Sequence, residues 1–178
     1  MFTQAGLFLL DALIGFFTFA LLLRFYMQAF RVSFRNQLGA FVVQLTNSLV
    51  LPVRKLLPGL LGLDLASLLL AYLLQALLLF AIFALRGGFE GVAGNLLGLI
   101  LWGALLATLR ISIYLLIAAL VIQAVLSWVN PYSPLAAPLD QFTRPFTGPV
   151  RRVVPPIAGI DLSPLVVLLL AQVALFFL

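Results

Sequence analysis

Four long runs of apolar positions, separated by shorter polar segments, organise the chain: residues 5–30, 64–85, 94–129 and 160–178. A hydrocarbon core of about 30 Å takes roughly 20 helical residues, so each run reads as a membrane-spanning helix. The third run is longer than one crossing and contains neither Pro nor a turn cluster, so its crossing is placed at residues 108–129. Residues 94–107, with Trp102 at headgroup-like depth, then form an extension or an interfacial stretch on the far side. The polar segments have their own period. After the first run, Leu38, Phe41, Val42, Leu45 and Leu49 share one helical face, while Gln37, Gln44, Asn47 and Ser48 fall on others. That pattern predicts a helix lying in the membrane interface. A second such segment sets Leu135, Leu139, Phe142 and Phe146 against Asp140, Gln141 and Arg144, with Pro138 and Pro145 shortening its helix.

Composition agrees with the pattern. Apolar residues make up 65% of the chain and charged residues 8%, against about 25% charged in an ordinary soluble domain. The chain is expected to be an integral membrane protein. Its first 30 residues lack a charged leader and an A-x-A-like cleavage site, so the first run reads as a retained span. Charge then sets orientation. Arg31, Arg35, Arg54 and Lys55 lie between runs one and two, and Arg144, Arg151 and Arg152 between runs three and four. The loop between runs two and three offers only Arg86, offset by Glu90. The two basic loops are therefore expected in the cytoplasm and both termini in the periplasm. Bases packed beside apolar runs point to lipid headgroups rather than to nucleic acid.

The chain has no His and no Cys, which removes thiolate and imidazole chemistry and nearly every zinc or haem site. No nucleophile has a base beside it, so neither an enzyme nor a cofactor or metal is expected.

Self-comparison at an offset of 97 aligns residues 44–75 with 141–172 without a gap. Shared Leu is cheap here, but the shared pairs include Gln44/Gln141, Thr46/Thr143, Pro52/Pro149, Arg54/Arg151, Pro58/Pro155, Gly62/Gly159, Asp64/Asp161 and Gln75/Gln172. The chain reads as two copies of one unit: residues 1–85, an outer loop at 86–93, and residues 94–178. Each copy has an even number of crossings, so the copies are expected to be parallel rather than inverted. In each, Pro-Val-Arg-Lys/Arg (Pro52 to Lys55; Pro149 to Arg152) predicts a short turn whose cations reach phosphate while the next residues dip toward acyl chains. Asp64 and Asp161, each just before a return span, read as helix N-caps.

The stretch Leu126-Ser127-Trp128-Val129-Asn130-Pro131, with Arg144-Pro145, Gly148-Pro149-Val150-Arg151-Arg152, Pro155 and Gly159-Ile160-Asp161-Leu162-Ser163-Pro164, resembles the YggT (YlmG) family. The first copy, from Leu21-Leu22-Leu23-Arg24 to Asp64-Leu65-Ala66-Ser67, resembles its two-repeat proteobacterial form. The chain departs from the family at Gln123, where Arg is usual ahead of the Ser-Trp pair, and at Arg31, where an aromatic or small residue is common. The resemblance implies a non-enzymatic protein of the bacterial inner membrane. It also implies ties to cell division and nucleoid distribution, assembly of membrane complexes, and osmotic or potassium tolerance.

Polar residues inside the apolar runs remain. Arg24 and Arg110 are expected to snorkel toward headgroups, and a sharper alternative pairs Arg110 with Asp11 across two helices. Gln75 and Gln172, with Gln123, are expected to hydrogen-bond between helices; a pore would require them to converge on one watery path. The expected architecture is all-α, about four transmembrane helices in two parallel repeats, each with a cytoplasmic amphipathic half-helix and basic turn. The expected function is a scaffold or assembly factor acting through Arg54, Lys55, Arg144, Arg151 and Arg152 on anionic lipid and on a membrane-protein partner or a second copy. The rival is a channel or transport component affecting ion balance.

Overall fold

The structure, a computed structural model, describes residues 2–57, 59, 62–85, 95–130, 132–154 and 161–178. Six helices occur in order: α1 Phe2–Ala29, α2 Gln37–Leu56, α3 Leu65–Leu85, α4 Leu96–Val129, α5 Ala136–Val153 and α6 Ser163–Phe177. The fold is an all-α membrane fold. Three helices, within α1, α3 and α4, are long and apolar enough to cross a bilayer; α6 is equally apolar but has 15 residues. Among the described residues the sequence long helix, amphipathic helix, apolar return helix occurs twice. The outer loop expected at 86–93 and the Gly159 turn lie outside the described residues.

Of the two readings of residues 94–107, the extension is the one observed: α4 is one unbroken helix of 34 residues. At 1.5 Å per residue it is about 51 Å long, longer than a hydrocarbon core is thick. Nothing within it removes a backbone donor, so nothing breaks it. One expectation changes: the Pro-Val-Arg-Lys segment is no separate turn. Pro52 sits inside α2, and Pro145 and Pro149 inside α5, so both basic pairs occupy the last helical turn. Cations there complement the negative end of the helix dipole.

Local signals fix the start of α2. Asn36 has extended backbone and its side chain accepts the Gly39 amide at 2.7 Å, an N-cap. A Cβ on Gly39 would lie 2.5 Å from the Phe34 Cα, so only glycine lets the entering chain fold back this closely. The end of α1 is a Schellman motif. The Val32 amide donates to the Met27 carbonyl at 2.8 Å and the Arg31 amide to that of Gln28 at 3.1 Å. Arg31 occupies the left-handed position with φ 57°, where glycine is usual. Met27 and Val32 then meet in the core.

Two apolar clusters hold the helices together. One, of Leu21, Leu22, Val50, Ala66 and Ala71, closes α1, α2 and α3 on one another. The other, of Met27, Val32, Leu115, Ala119, Leu139 and Phe142, joins the end of α1 to α4 and α5 and so joins the two copies. Aromatic rings reinforce this joint: Phe30 stacks on Tyr26 and meets Phe142 and Phe146 edge-on. Gln141 adds a hydrogen bond, donating to the carbonyl of Arg31 at 2.9 Å.

Glycine at position 31 is expected to be neutral to slightly stabilising, because relief of the left-handed strain offsets the added freedom of the unfolded chain. Arg31→Val, whose branched side chain resists φ above zero, is expected to lower stability by about 1–2 kcal/mol. Unfolding in detergent of the two variants checks the ordering.

Candidate functional site

Arg24 is buried in α1, four-fifths of the way along an otherwise apolar helix. It does not snorkel. Its Nε donates to Asp64 Oδ2 at 3.1 Å, and its Nη1 donates to Thr46 Oγ1 at 2.8 Å and to Asn47 Oδ1 at 2.9 Å. One guanidinium thus ties α1 to α2 and to the residue that precedes α3. Asp64, 1% exposed, gathers more on the same oxygen: Arg54 Nη2 at 2.6 Å and the Ser67 hydroxyl at 2.8 Å. A guanidinium buried in apolar surroundings costs several kcal/mol unless it is paired and hydrogen-bonded. Here the fold supplies both.

The carboxylate of Asp64 does not cap α3, contrary to the expectation from its place before the return span. Instead Oδ2 serves Arg24, Arg54 and Ser67, Oδ1 is buried without a partner, and the first amides of α3, Ser67 and Leu68, bond to the Asp64 main-chain carbonyl. The chain reaches this residue through Gly62, whose φ of 80° favours glycine and whose carbonyl accepts from Gln28 Nε2 at 2.9 Å.

The second copy reuses the frame with different chemistry. Gln123 takes the place of Arg24: its Oε1 accepts from Thr143, the counterpart of Thr46, at 2.8 Å, and its Nε2 donates to Asp140 Oδ1 at 3.3 Å. No guanidinium from α4 reaches Asp161. Arg151 Nε donates to Asp161 Oδ2 at 2.5 Å, as Arg54 does to Asp64, and Arg151 Nη2 lies 3.9 Å from Asp140. Asp161 Oδ1 also accepts the Ser163 amide at 2.9 Å, bonding into the start of α6. This pair is more open than the first, with Asp161 31% and Arg151 44% exposed. Partial burial alone would raise the Asp161 pKa, but Ser163 and the guanidinium of Arg151 outweigh it and hold the carboxyl below its usual range.

The other predicted residues scatter. Lys55 and Arg152 are exposed at the helix ends and Arg144 is exposed midway along α5, and none of the three carries an ion pair among the described residues. Gln75 is buried and donates to Thr18 Oγ1 at 3.0 Å, joining α3 to α1, whereas its counterpart Gln172 is exposed on α6. These amides do not converge on one path. Asp11 and Arg110 are both exposed, and among the described residues no ion pair joins them. Asp11 lines an outward cleft with Thr3, Gln4, Leu7, Phe8 and Ile82, because the end of α3 rather than α4 packs beside it. Sequence reasoning missed Thr46, Asn47 and Ser67 as partners of the ion pair. The identity of Thr46 with Thr143 inside the duplicated block was the signal that could have found the first of them.

A small all-α membrane protein, with an amphipathic helix tied by a buried or half-buried Arg–Asp pair to the start of a return helix, is the class these features define. The chain belongs to the CCB3/YggT family, whose model matches residues 3–85 and 102–178. It is 36% identical to Escherichia coli YggT over 171 residues, covering 93% of this chain and 85% of that protein. It is 37% identical over 163 residues to an uncharacterised Pseudomonas aeruginosa protein (90% and 81% covered) and 35% identical over 170 residues to one from Vibrio alginolyticus (95% and 90%). No solved structure matches the chain.

Asp64→Asn, which leaves Arg24 buried without an acid, is expected to cost about 3–5 kcal/mol, and Arg24→Gln less, because Asp64 keeps Arg54 and Ser67. The double change Arg24→Met with Asp64→Leu is expected to cost much less than the sum. A double-mutant cycle of unfolding in detergent checks this. In the second copy the depressed carboxyl of Asp161 stabilises the fold fully above the ordinary Asp pKa of about 3.9. That contribution is lost as pH falls through the lower folded value. Acid unfolding of Asp161→Asn is expected to show a shallower pH dependence than the parent.

Proposed function

We propose that the protein is a non-enzymatic membrane scaffold or assembly factor that works through the basic ends of α2 and α5. The observation that carries this reading is that each amphipathic helix ends in a pair of cations, Arg54 and Lys55 or Arg151 and Arg152, with one of each pair anchored to an Asp at the foot of the return helix. Anchoring leaves the second cation exposed at a defined place. Positive-inside asymmetry puts these ends on the cytoplasmic side of the inner membrane, where anionic headgroups attract cations at about 1 kcal/mol each. The same surface would meet a membrane-bound partner. The separation of Gln75, Gln123 and Gln172 supports a scaffold over a channel, since an ion path needs polar groups facing one lumen.

Native mass spectrometry of detergent-solubilised protein titrated with phosphatidylglycerol or phosphatidylcholine tests the reading, together with ion flux in proteoliposomes. The parent is expected to retain phosphatidylglycerol in preference to phosphatidylcholine and to pass no ions. Lys55→Ala with Arg152→Ala is expected to weaken phosphatidylglycerol retention by about fivefold per cation removed, which is about 1 kcal/mol converted at RT of about 0.59 kcal/mol. Flux above that of empty vesicles, or equal retention of both lipids, would overturn it.

A further inference from the structure

The two return helices are held in different ways. In the first copy, polar ties fasten α3 along its length. Arg24 and Arg54 meet Asp64 at its foot, Gln75 donates to Thr18 of α1 at 3.0 Å, and the Tyr72 hydroxyl donates to the Leu101 carbonyl of α4 at 3.1 Å. In the second copy, α6 has polar side chains only at Ser163 and Gln172. Gln172 is exposed and makes no hydrogen bond among the described residues, and the Ser163 hydroxyl is buried without a partner. Among the described residues, the polar tie between α6 and the rest of the chain is therefore the Arg151–Asp161 pair at its foot, where Asp161 also accepts the Ser163 amide. Apolar packing between helices gains little over packing against lipid tails, so polar ties and close fit set how firmly a helix is held in a bilayer. The fit is also incomplete here: a recess of about 280 Å³ lies between α4, α5 and α6, with Ala171 and Ala174 on its α6 side.

The two feet differ in what it takes to open them. Asp64 is 1% exposed, so parting it from Arg24 leaves charge buried without its partner, which shifts an equilibrium on the order of a hundredfold to a thousandfold. Asp161 and Arg151 are 31% and 44% exposed, and pairs this open shift an equilibrium by up to about fivefold. Both partners also have somewhere to go. The Asp161 carboxylate is open to solvent, Arg151 Nη2 already lies 3.9 Å from Asp140, and Gln123 stands where a second cation would hold the acid from α4. Freeing α6 would open the unpartnered Ser163 hydroxyl to solvent, whereas Ser67 in the first copy is already bonded to Asp64 Oδ2.

We infer that the second copy is a latch: the Arg151–Asp161 pair holds α6 against α4 and α5, and an anion that takes Arg151 releases α6 while α1, α2 and α3 stay closed. The anion is a lipid phosphate at the membrane surface, where the proposed function puts the basic end of α5. That choice of ligand rests on that reading; the latch itself does not. Release uncovers Val167 and Ala171, buried in the closed form, together with the α4 face they cover. Headgroup binding at the surface is thereby converted into exposure of a helix face within the membrane.

The chain has no Cys, so pairs of nitroxide labels can be introduced without background. Tyr114→Cys with Val173→Cys spans α4 and α6, and Phe16→Cys with Leu77→Cys spans α1 and α3 as a control; all four positions are exposed. Distances are read by pulsed electron resonance on the full chain in phosphatidylcholine nanodiscs with rising phosphatidylglycerol, and in phosphatidylcholine with inorganic phosphate. The α4–α6 pair is expected to gain a longer-distance population as phosphatidylglycerol rises. Asp161→Asn is expected to raise the ratio of long to short distances about threefold to fivefold in phosphatidylcholine alone, and Arg151→Gln, which removes the pair from the other side, to do the same. The control pair is expected to keep one distance throughout. An α4–α6 distance unchanged in both variants would overturn the latch, and so would equal broadening of the control pair, which reports general loosening. Opening in the variants with no response of the parent to phosphatidylglycerol would keep the latch and overturn the lipid as its key. An equal response to inorganic phosphate would also overturn the lipid assignment.

Discussion

The fold turns on a charge kept away from water. Arg24 stands in an apolar helix where an unpaired guanidinium would cost several kcal/mol, and Asp64, Thr46 and Asn47 each accept a hydrogen bond from it. Those partners lie on two other elements, so satisfying the charge requires α1, α2 and the start of α3 to meet at one point. Apolar surface alone does not force that meeting. In a bilayer the lipid tails are as apolar as Leu21 or Val50, and helices gain little from hiding such side chains against one another. The ion pair gives the first copy a defined geometry, and the Leu21, Leu22, Val50 and Ala71 cluster then packs around it. Asp64 also holds Arg54, so the buried layer reaches the surface at the basic end of α2.

The second copy shows the consequence of losing the buried cation. With Gln123 in place of Arg24, no charge on α4 demands a buried acid, and Asp161 sits half-open with Arg151 as its one cation among the described residues. Asp140, where the first copy has Val43, takes up the amide of Gln123 and approaches Arg151. Packing differs in step: Leu74, which lies against the Leu21, Leu22 and Val50 cluster, has Ala171 as its counterpart. One copy is tied by a buried charge; the acid of the other is half-open.

Much of this architecture was legible in the pattern of residues. The apolar runs became helices, the amphipathic segments became α2 and α5, and the family resemblance rested on motifs that the family match covers. What the pattern could not give was pairing. Arg24 and Asp64 are 40 residues apart, and no periodicity records which acid a buried base will meet. Proximity in depth was the only available guide, and it suggested Asp11 with Arg110, which the packing of α3 beside α1 keeps apart. The prolines misled for a local reason. Pro52 and Pro149 lie close to a helix end, where the carbonyl left without a donor is near a terminus already rich in free carbonyls and cations.

The position of the basic pairs has a mechanical reason as well as an electrostatic one. A helix that lies in the membrane interface is free to rotate about its axis and to slide, and a cation on it then samples many headgroups weakly. Here one cation of each pair is fixed: Arg54 and Arg151 bind the Asp that precedes the return helix, ten residues on in both copies. Rotation of α2 or α5 would break that bond, and in the first copy would also draw Thr46 away from Arg24. The neighbouring Lys55 or Arg152 is therefore presented at a set height and angle. The acid thus fixes where the basic end of each amphipathic helix sits against the start of the return helix.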